Sequence, residues 1–288
     1  MTVYGTVSYM AEKLAIVTGA SGGIGFHTAR ELAARNWRVI TAARHRNDDI
    51  PGAEWWELDL ADLASVRRFA SRFLDGYGRL DLLINNAGVM ALPRAVTVDG
   101  FERQFGVNHL GHFALTGLLL PALLAGDRAR VVTVTSGLHR RGRMNFDDLM
   151  GERRYSKLGA YTQSKLANVL FALELGRRTP LTSVLAHPGF AHTDLARTGN
   201  PLRSAFLALA RLSAQSAEAG ALPSLHAATN PEVKAMEAYG PDGPGERRGN
   251  PTRIEVSARG RDEGDARRLW AISEELTGVR YRTVTVAD

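Results

Sequence analysis

The sequence predicts an α/β fold: one doubly wound domain over residues 1–288, its mostly parallel sheet of seven strands covered by helices on both faces. Three observations predict it. Apolar runs of four to seven residues recur between longer stretches of helical period, the alternation expected of βαβ units. Most of these runs are continuously apolar, as strands buried on both faces must be. No interdomain linker, internal repeat or low-complexity tract interrupts them.

In chain order, the expected strands are Leu14 to Thr18, Trp37 to Ala42, Glu54 to Leu58, Leu80 to Asn85, Arg130 to Thr135, Leu181 to His187, and a last one near Ala235 to Tyr239. Between them, Gly25 to Arg35, Leu63 to Leu74, Gly100 to Ala125, Gly159 to Arg178 and Ala217 to Ala228 carry apolar residues at three- and four-residue spacing, the period of a helix with one buried face. Asp62 offers an N-cap to the second helix, and Gly76 with Gly78 stops it. Trp270 to Leu276 forms a final helix. The least regular stretches are Leu138 to Leu158 and Pro241 to Asp265, and loops of that length inside compact domains tend to be functional or disordered.

Composition excludes several function classes. With no cysteine and 44% apolar residues, the chain has no disulfide scaffold and enough material for a large core. A charged fraction of 23% excludes disorder. The net charge of +6 raises nucleic acid as a partner, but the basic residues are scattered. Their densest cluster is Arg140, Arg141 and Arg143, with no aromatic-interleaved stripe, so no nucleic-acid partner is expected. Met1 to Ala11 lacks the features of a signal peptide. The longest apolar stretch, Phe113 to Ala125, contains Thr116, Gly117 and Pro121 and falls short of the ~20 residues a bilayer span needs. No membrane span and a cytoplasmic location are the expectation.

The first strand runs into Thr18-Gly19-Ala20-Ser21-Gly22-Gly23-Ile24-Gly25, which opens the first helix. A strand, a glycine-rich turn and a helix N-terminus make an anion site, because free N–H groups and the positive helix end converge on a pyrophosphate. Gly19 allows the turn, Gly23 lets backbone approach phosphate, and Gly25 permits close packing. Selection of NAD usually places a carboxylate at the end of the second strand. Here that end reads Ala42-Ala43-Arg44-His45-Arg46, and Arg44 can make bidentate bonds to a 2′-phosphate, so NADP(H) is preferred over NAD(H).

At this point the chain resembles the short-chain dehydrogenase/reductase family, and within it the retinol-dehydrogenase-like and protochlorophyllide-reductase-like branch. The resemblance is ordered and nearly full length. Residues 18–25 look like the cofactor turn, with Ser21 and Ile24 among its contacts, and Asp59-Leu60 looks like the adenine contact. Asn85-Asn86-Ala87-Gly88 is similar to the segment beside the cofactor, and Val107-Asn108-His109-Leu110-Gly111-His112-Phe113 to the helix carrying the active-site Asn. Ser136 and Tyr161-Thr162-Gln163-Ser164-Lys165 resemble the catalytic set. His187-Pro188-Gly189 with Thr193 resembles the nicotinamide-side loop, and Arg268-Leu269-Trp270 through Leu276 the closing helix. The resemblance also implies that Asn108 holds a water linking Lys165 to solvent. Ser136 and Tyr161 are 25 residues apart, and the extra length, His139 to Leu158, is shared with the narrower branch.

The chemistry can be argued from the residues as well. Tyr161 and Lys165 are four apart on an expected helix, so they share a face, and an adjacent ammonium favours the phenolate. Tyr161 is then the acid/base. Lys165 lowers its pKa and reaches the nicotinamide ribose, while Ser136 hydrogen-bonds the substrate oxygen. Tyr155 has Gly159 rather than lysine at that spacing and loses to Tyr161. His109 and His112, three apart, lack the partners of a metal site and read as packing or substrate-side residues; no metal is expected. The Phe113 to Leu124 stripe leaves two readings open, pairing as a homo-oligomer or burial in the core.

The expected function is NADP(H)-dependent interconversion of a carbonyl and an alcohol on a hydrophobic or polycyclic small molecule. Residues 138–158 and 190–213 are expected to shape its site. An isomerase, dehydratase or cyclase using bound NADP(H) transiently or structurally is the alternative on the same scaffold. A non-catalytic NADP-sensing protein should have lost part of the catalytic set, and all four candidates are present.

Overall fold

A computed structural model describes residues 12–190 and 215–281 of the chain. Thr193 and nearly all of the expected 190–213 element lie outside them. The described strands are β1 (Leu14–Thr18), β2 (Arg38–Ala43), β3 (Ala53–Glu57), β4 (Leu82–Asn85), β5 (Arg130–Val134), β6 (Thr182–Ala186), β7 (Ala238–Pro241) and β8 (Pro251–Arg253). They form one sheet in the order β3-β2-β1-β4-β5-β6-β7-β8. Every pair is parallel except β7 with β8, where Tyr239 stands opposite Arg253.

The sheet therefore has eight strands, where the sequence predicts seven. The extra strand is three residues long, opens with proline and is exposed at its last two residues. Its pattern carries no run of apolar residues, and an edge position tolerates the missing proline N–H.

The helices are α1 (Gly23–Ala34), α2 (Leu63–Gly76), α3 (Gly111–Leu118), α4 (Leu120–Leu124), α5 (Lys157–Arg178), α6 (Ala217–Thr229) and α7 (Glu263–Thr277). Successive residues of β1 feed opposite layers, as the strand period of two requires. Leu14 and Ile16 join the core formed with α2, α3, α4 and α7. Ala15 and Val17 join the core formed with α1 and α6.

Two helix expectations change. The single helix expected over Gly100 to Ala125 is instead a turn at Arg103–Phe105, a π-helical turn at Gly106–Leu110, and then α3 and α4. Gly111 N–H reaches back five residues to Gly106, which widens the turn at Asn108, and Pro121 in the first turn of α4 cannot supply an N–H to α3. The final helix starts at Glu263, seven residues before the expected Trp270, because its first turns are polar. Asp262 caps it by accepting from the Asp265 N–H, and Gly278 ends it at φ +62°.

The Phe113 to Leu124 stripe lies in the core: Phe113, Leu115, Leu119, Leu120 and Leu123 are buried. The C-terminal segment closes that layer. Trp270 packs edge-on against Phe113 at 5.2 Å, stacks on Phe171 at 5.9 Å and meets Tyr281 at 4.5 Å. The Tyr281 hydroxyl donates to the Phe113 carbonyl at 2.7 Å. Truncating Trp270 to alanine should cost roughly 3–5 kcal/mol, measured as a lowered midpoint of denaturant unfolding, because the surrounding rings cannot collapse into the void.

Candidate active site

The strand order reverses between β1 and β4, and ligands of open α/β sheets bind outside the carboxyl ends of strands at such a reversal. A groove of about 860 Å³ opens there. It is lined by Gly19, Ser21, Gly23, Ile24, Gly25, Arg44, Asp59, Leu60, Asn86, Ala87, Gly88, Tyr161, Lys165 and Pro188, all expected from the sequence. Asn108, Ser136 and Gly189 are not among the lining residues: Asn108 is buried beside Gly88, whereas Ser136 and Gly189 are half-buried.

The turn that opens α1 is built for close approach. Gly19 has φ +67°, and a Cβ there would stand 2.8 Å from the Ala87 Cα; a Cβ on Gly25 would stand 2.5 Å from the Gly19 carbonyl oxygen. The N-terminus of α1 has no side-chain cap, whereas Asp62, Ser156, Ser216 and Asp262 cap α2, α5, α6 and α7. Its first N–H groups face a groove with an anion's requirements, so these residues fit a dinucleotide pyrophosphate.

Thr18, at the end of β1, ties the turn to the sheet. Its Oγ1 accepts from the N–H groups of Asn86 at 2.9 Å and Ala87 at 3.0 Å, and Asn86 Nδ2 donates back to the Thr18 carbonyl at 2.8 Å. Arg44 lines the groove at the end of β2, beside His45, and makes no ion pair among the described residues. Arg46, by contrast, is held by Asp48 at 2.7 Å. Asp59 turns the chain after β3, its Oδ1 accepting from the Ala61 N–H at 2.9 Å.

Tyr161 and Lys165 lie on one face of α5, with the ammonium 5.9 Å from the phenol ring centre. Both are buried, at 7% and 4% exposure, and burial acts on each against its charge. It raises the Tyr161 phenol above its usual range, against a lowering hydrogen bond from Ser136. It brings Lys165 down to about 8. The sequence leads one to expect Lys165 to lower the phenol; in the folded chain desolvation is the larger influence on both groups. Lys165 Nζ donates to the Val134 carbonyl at 3.1 Å, and that oxygen also accepts from Asn168 Nδ2 at 3.2 Å.

Ser136 begins the turn Gly137–Arg141 and accepts from the Leu138 N–H at 3.3 Å, which leaves its hydrogen to donate. Two buried histidines bracket it. His139 Nδ1 donates to the Ser136 carbonyl at 2.7 Å, and His187 Nδ1 accepts from the Gly137 N–H at 3.1 Å. Asn108 is fully engaged through its amide: Oδ1 accepts from Val89 N–H at 2.8 Å, and Nδ2 donates to the Val89 carbonyl and to Ser164 Oγ, each at 2.9 Å. Further partners of Asn108 can only donate to it.

Residues 13–202 match the short chain dehydrogenase family. The chain belongs to that family. It is 41% identical to retinol dehydrogenase 12 of Homo sapiens, over 93% of this chain and 87% of that one. It is 45% identical to polyprenol dehydrogenase of Mus musculus, over 92% and 84%. Among solved structures, an uncharacterised protein of Mycobacterium paratuberculosis superposes with a TM-score of 0.79 at 44% identity, covering 94% of this chain and 95% of that one. The retinol-dehydrogenase-like branch is therefore the right one within the short-chain dehydrogenases.

The geometry also places residues that the sequence reading left aside. No residue of 138–158 lines the groove; this segment surrounds a separate cavity of about 270 Å³. It reaches the groove wall through Tyr155, whose hydroxyl bonds the Leu92 carbonyl at 2.9 Å. His109 and His112 are both buried structural groups. His109 Nε2 meets Ser273 Oγ at 2.9 Å, fastening α7 to the π-helical turn. Val89, Ser164 and Asn168 hold the catalytic candidates in place, and only their positions beside quoted motifs could have announced them. Replacing Lys165 with methionine should raise the melting temperature at pH 7 by roughly 5 °C, since the Val134 carbonyl keeps Asn168. The folded-state pKa lies below the unfolded one, so the penalty is full below about 8 and fades as pH rises toward 10. The two melting curves should converge over that range.

Proposed function

We propose that this short-chain dehydrogenase interconverts a carbonyl and an alcohol on a hydrophobic small molecule with NADP(H). The observation that carries the reading is the buried pair Tyr161–Lys165, with Ser136 near enough to the phenol to offset part of the effect of burial, lining one groove with the uncapped start of α1. Bound nicotinamide would supply or accept the hydride.

The chain's own residues handle the oxygen and its proton. In reduction, the Tyr161 hydroxyl gives its proton to the substrate oxygen as that oxygen gains charge, and Ser136 donates a second hydrogen bond to it. Burial keeps Tyr161 protonated and poised as a donor, and the Lys165 ammonium below pH 8 stabilises the phenolate left behind. In oxidation the same groups run in reverse. Arg44, free of any ion pair among the described residues, would grip a 2′-phosphate where an NAD-selective site keeps a carboxylate. The names of the retinol and polyprenol dehydrogenases favour long isoprenoid alcohols and their aldehydes as the substrate class.

Turnover is followed at the reduced-nicotinamide absorbance with retinoid and polyprenyl aldehydes. Tyr161→Phe should lose about 100-fold or more in kcat while binding cofactor as before. Product formed with no net change in cofactor absorbance would point instead to an isomerase or cyclase. In a separate titration, Arg44→Ala should weaken NADPH binding by about 10-fold or more and leave NADH nearly unchanged; equal losses would remove Arg44 from 2′-phosphate recognition.

A further inference from the structure

His112 is 1% exposed, lies outside the groove lining, and is four residues from Asn108, one turn along the same face. Its Nδ1 stands 3.0 Å from the Asn108 carbonyl oxygen and its Nε2 stands 2.9 Å from Thr18 Oγ1. A carbonyl only accepts, so Nδ1 must carry hydrogen. Thr18 Oγ1 already accepts from two N–H groups, those of Asn86 and Ala87, which fills its lone pairs. With no lone pair left to take an Nε2–H, Thr18 meets Nε2 as a donor, its hydrogen within reach of the Ile84 carbonyl at 3.2 Å but closer to Nε2 at 2.9 Å, so Nε2 is bare.

We propose that His112 is a positioning residue, a neutral imidazole fixed as the Nδ1–H tautomer, which sets the turn holding Asn108 against the end of β1. The chain of bonds has one polarity throughout. The N–H groups of Asn86 and Ala87 donate to Thr18 Oγ1, Thr18 donates to His112 Nε2, and His112 Nδ1 donates to the Asn108 carbonyl. One end of that chain is groove wall; the other is the residue whose amide braces Val89 and Ser164. Burial supports the neutral form, bringing the imidazole down to about 4, and Lys165 repels a second charge there.

The bridge does not load both ends equally. Without His112, the Thr18 hydroxyl can turn to the Ile84 carbonyl at 3.2 Å, so the cofactor turn keeps its ties. Among the described residues, His112 is the side chain that bonds the Asn108 carbonyl, and no second side chain stands by to replace it. Loss of His112 should therefore act on the catalytic side and spare cofactor binding.

The first test needs no substrate. Long-range nitrogen–proton correlation spectra of histidine-labelled protein should show one imidazole, absent from His112→Phe, as the Nδ1–H tautomer throughout pH 6 to 8. The Nε2–H tautomer or the cation in that range would overturn the proposal. The kinetic test rests on the reductase reading above. His112→Phe should lower kcat by about 10-fold or more per folded enzyme, with the NADPH dissociation constant within about 3-fold of the parent. His112→Asn keeps a donor near the Nδ1 position and should recover a large part of that loss. Unchanged kcat in a merely less stable His112→Phe, or His112→Asn no better than His112→Phe, would overturn the positioning role. If no carbonyl compound is turned over, the spectrum and the NADPH titration still decide the bridge, separately from the reaction.

Discussion

The site depends on how the open ends of β1 and β4 are sewn together. A parallel sheet that reverses direction leaves a crevice between two strand ends, and the backbone groups there have no ladder partners. Thr18 Oγ1 and Asn86 supply those partners within a few ångströms of the groove. The same stitch holds the glycine turn against Ala87, where there is no room for a side chain. What could have been a weak seam in the sheet becomes its most constrained point, and a groove of fixed shape follows.

Dryness governs the chemistry on the far wall. In water, a tyrosine and a lysine four residues apart would interact weakly; here both are desolvated, and each resists its charge. Tyr161 gives up its proton only when something in the groove rewards the charge, which is how a donor can be kept loaded. Ser136 and the Val134 carbonyl fix the two groups without neutralising either.

Much of this was legible in the sequence. The apolar strands announced themselves because burial on both faces leaves little room for polar residues, and the glycine turn because only glycine fits at position 19 against Ala87. Tyr161, Lys165 and Arg44 were readable from spacing and strand end. β8 was not, since three residues, one half-buried and two exposed, carry no hydrophobic period. Neither was the break around Asn108, where an unbroken apolar stripe conceals a change in hydrogen-bond register. His112 was visible as a histidine but not as a bridge, because one of its two partners, Thr18, lies 94 residues away in the chain.

The closing segment carries a consequence for how the protein comes into being. Tyr281 and Trp270 complete the layer beneath Phe113, on the helix that follows the Asn108 turn. A chain growing on the ribosome can pair its early strands while that layer still lacks its last rings. The wall behind the Asn108 turn is finished only once Tyr281 has reached Phe113, so that layer cannot close before the last of these rings has been made.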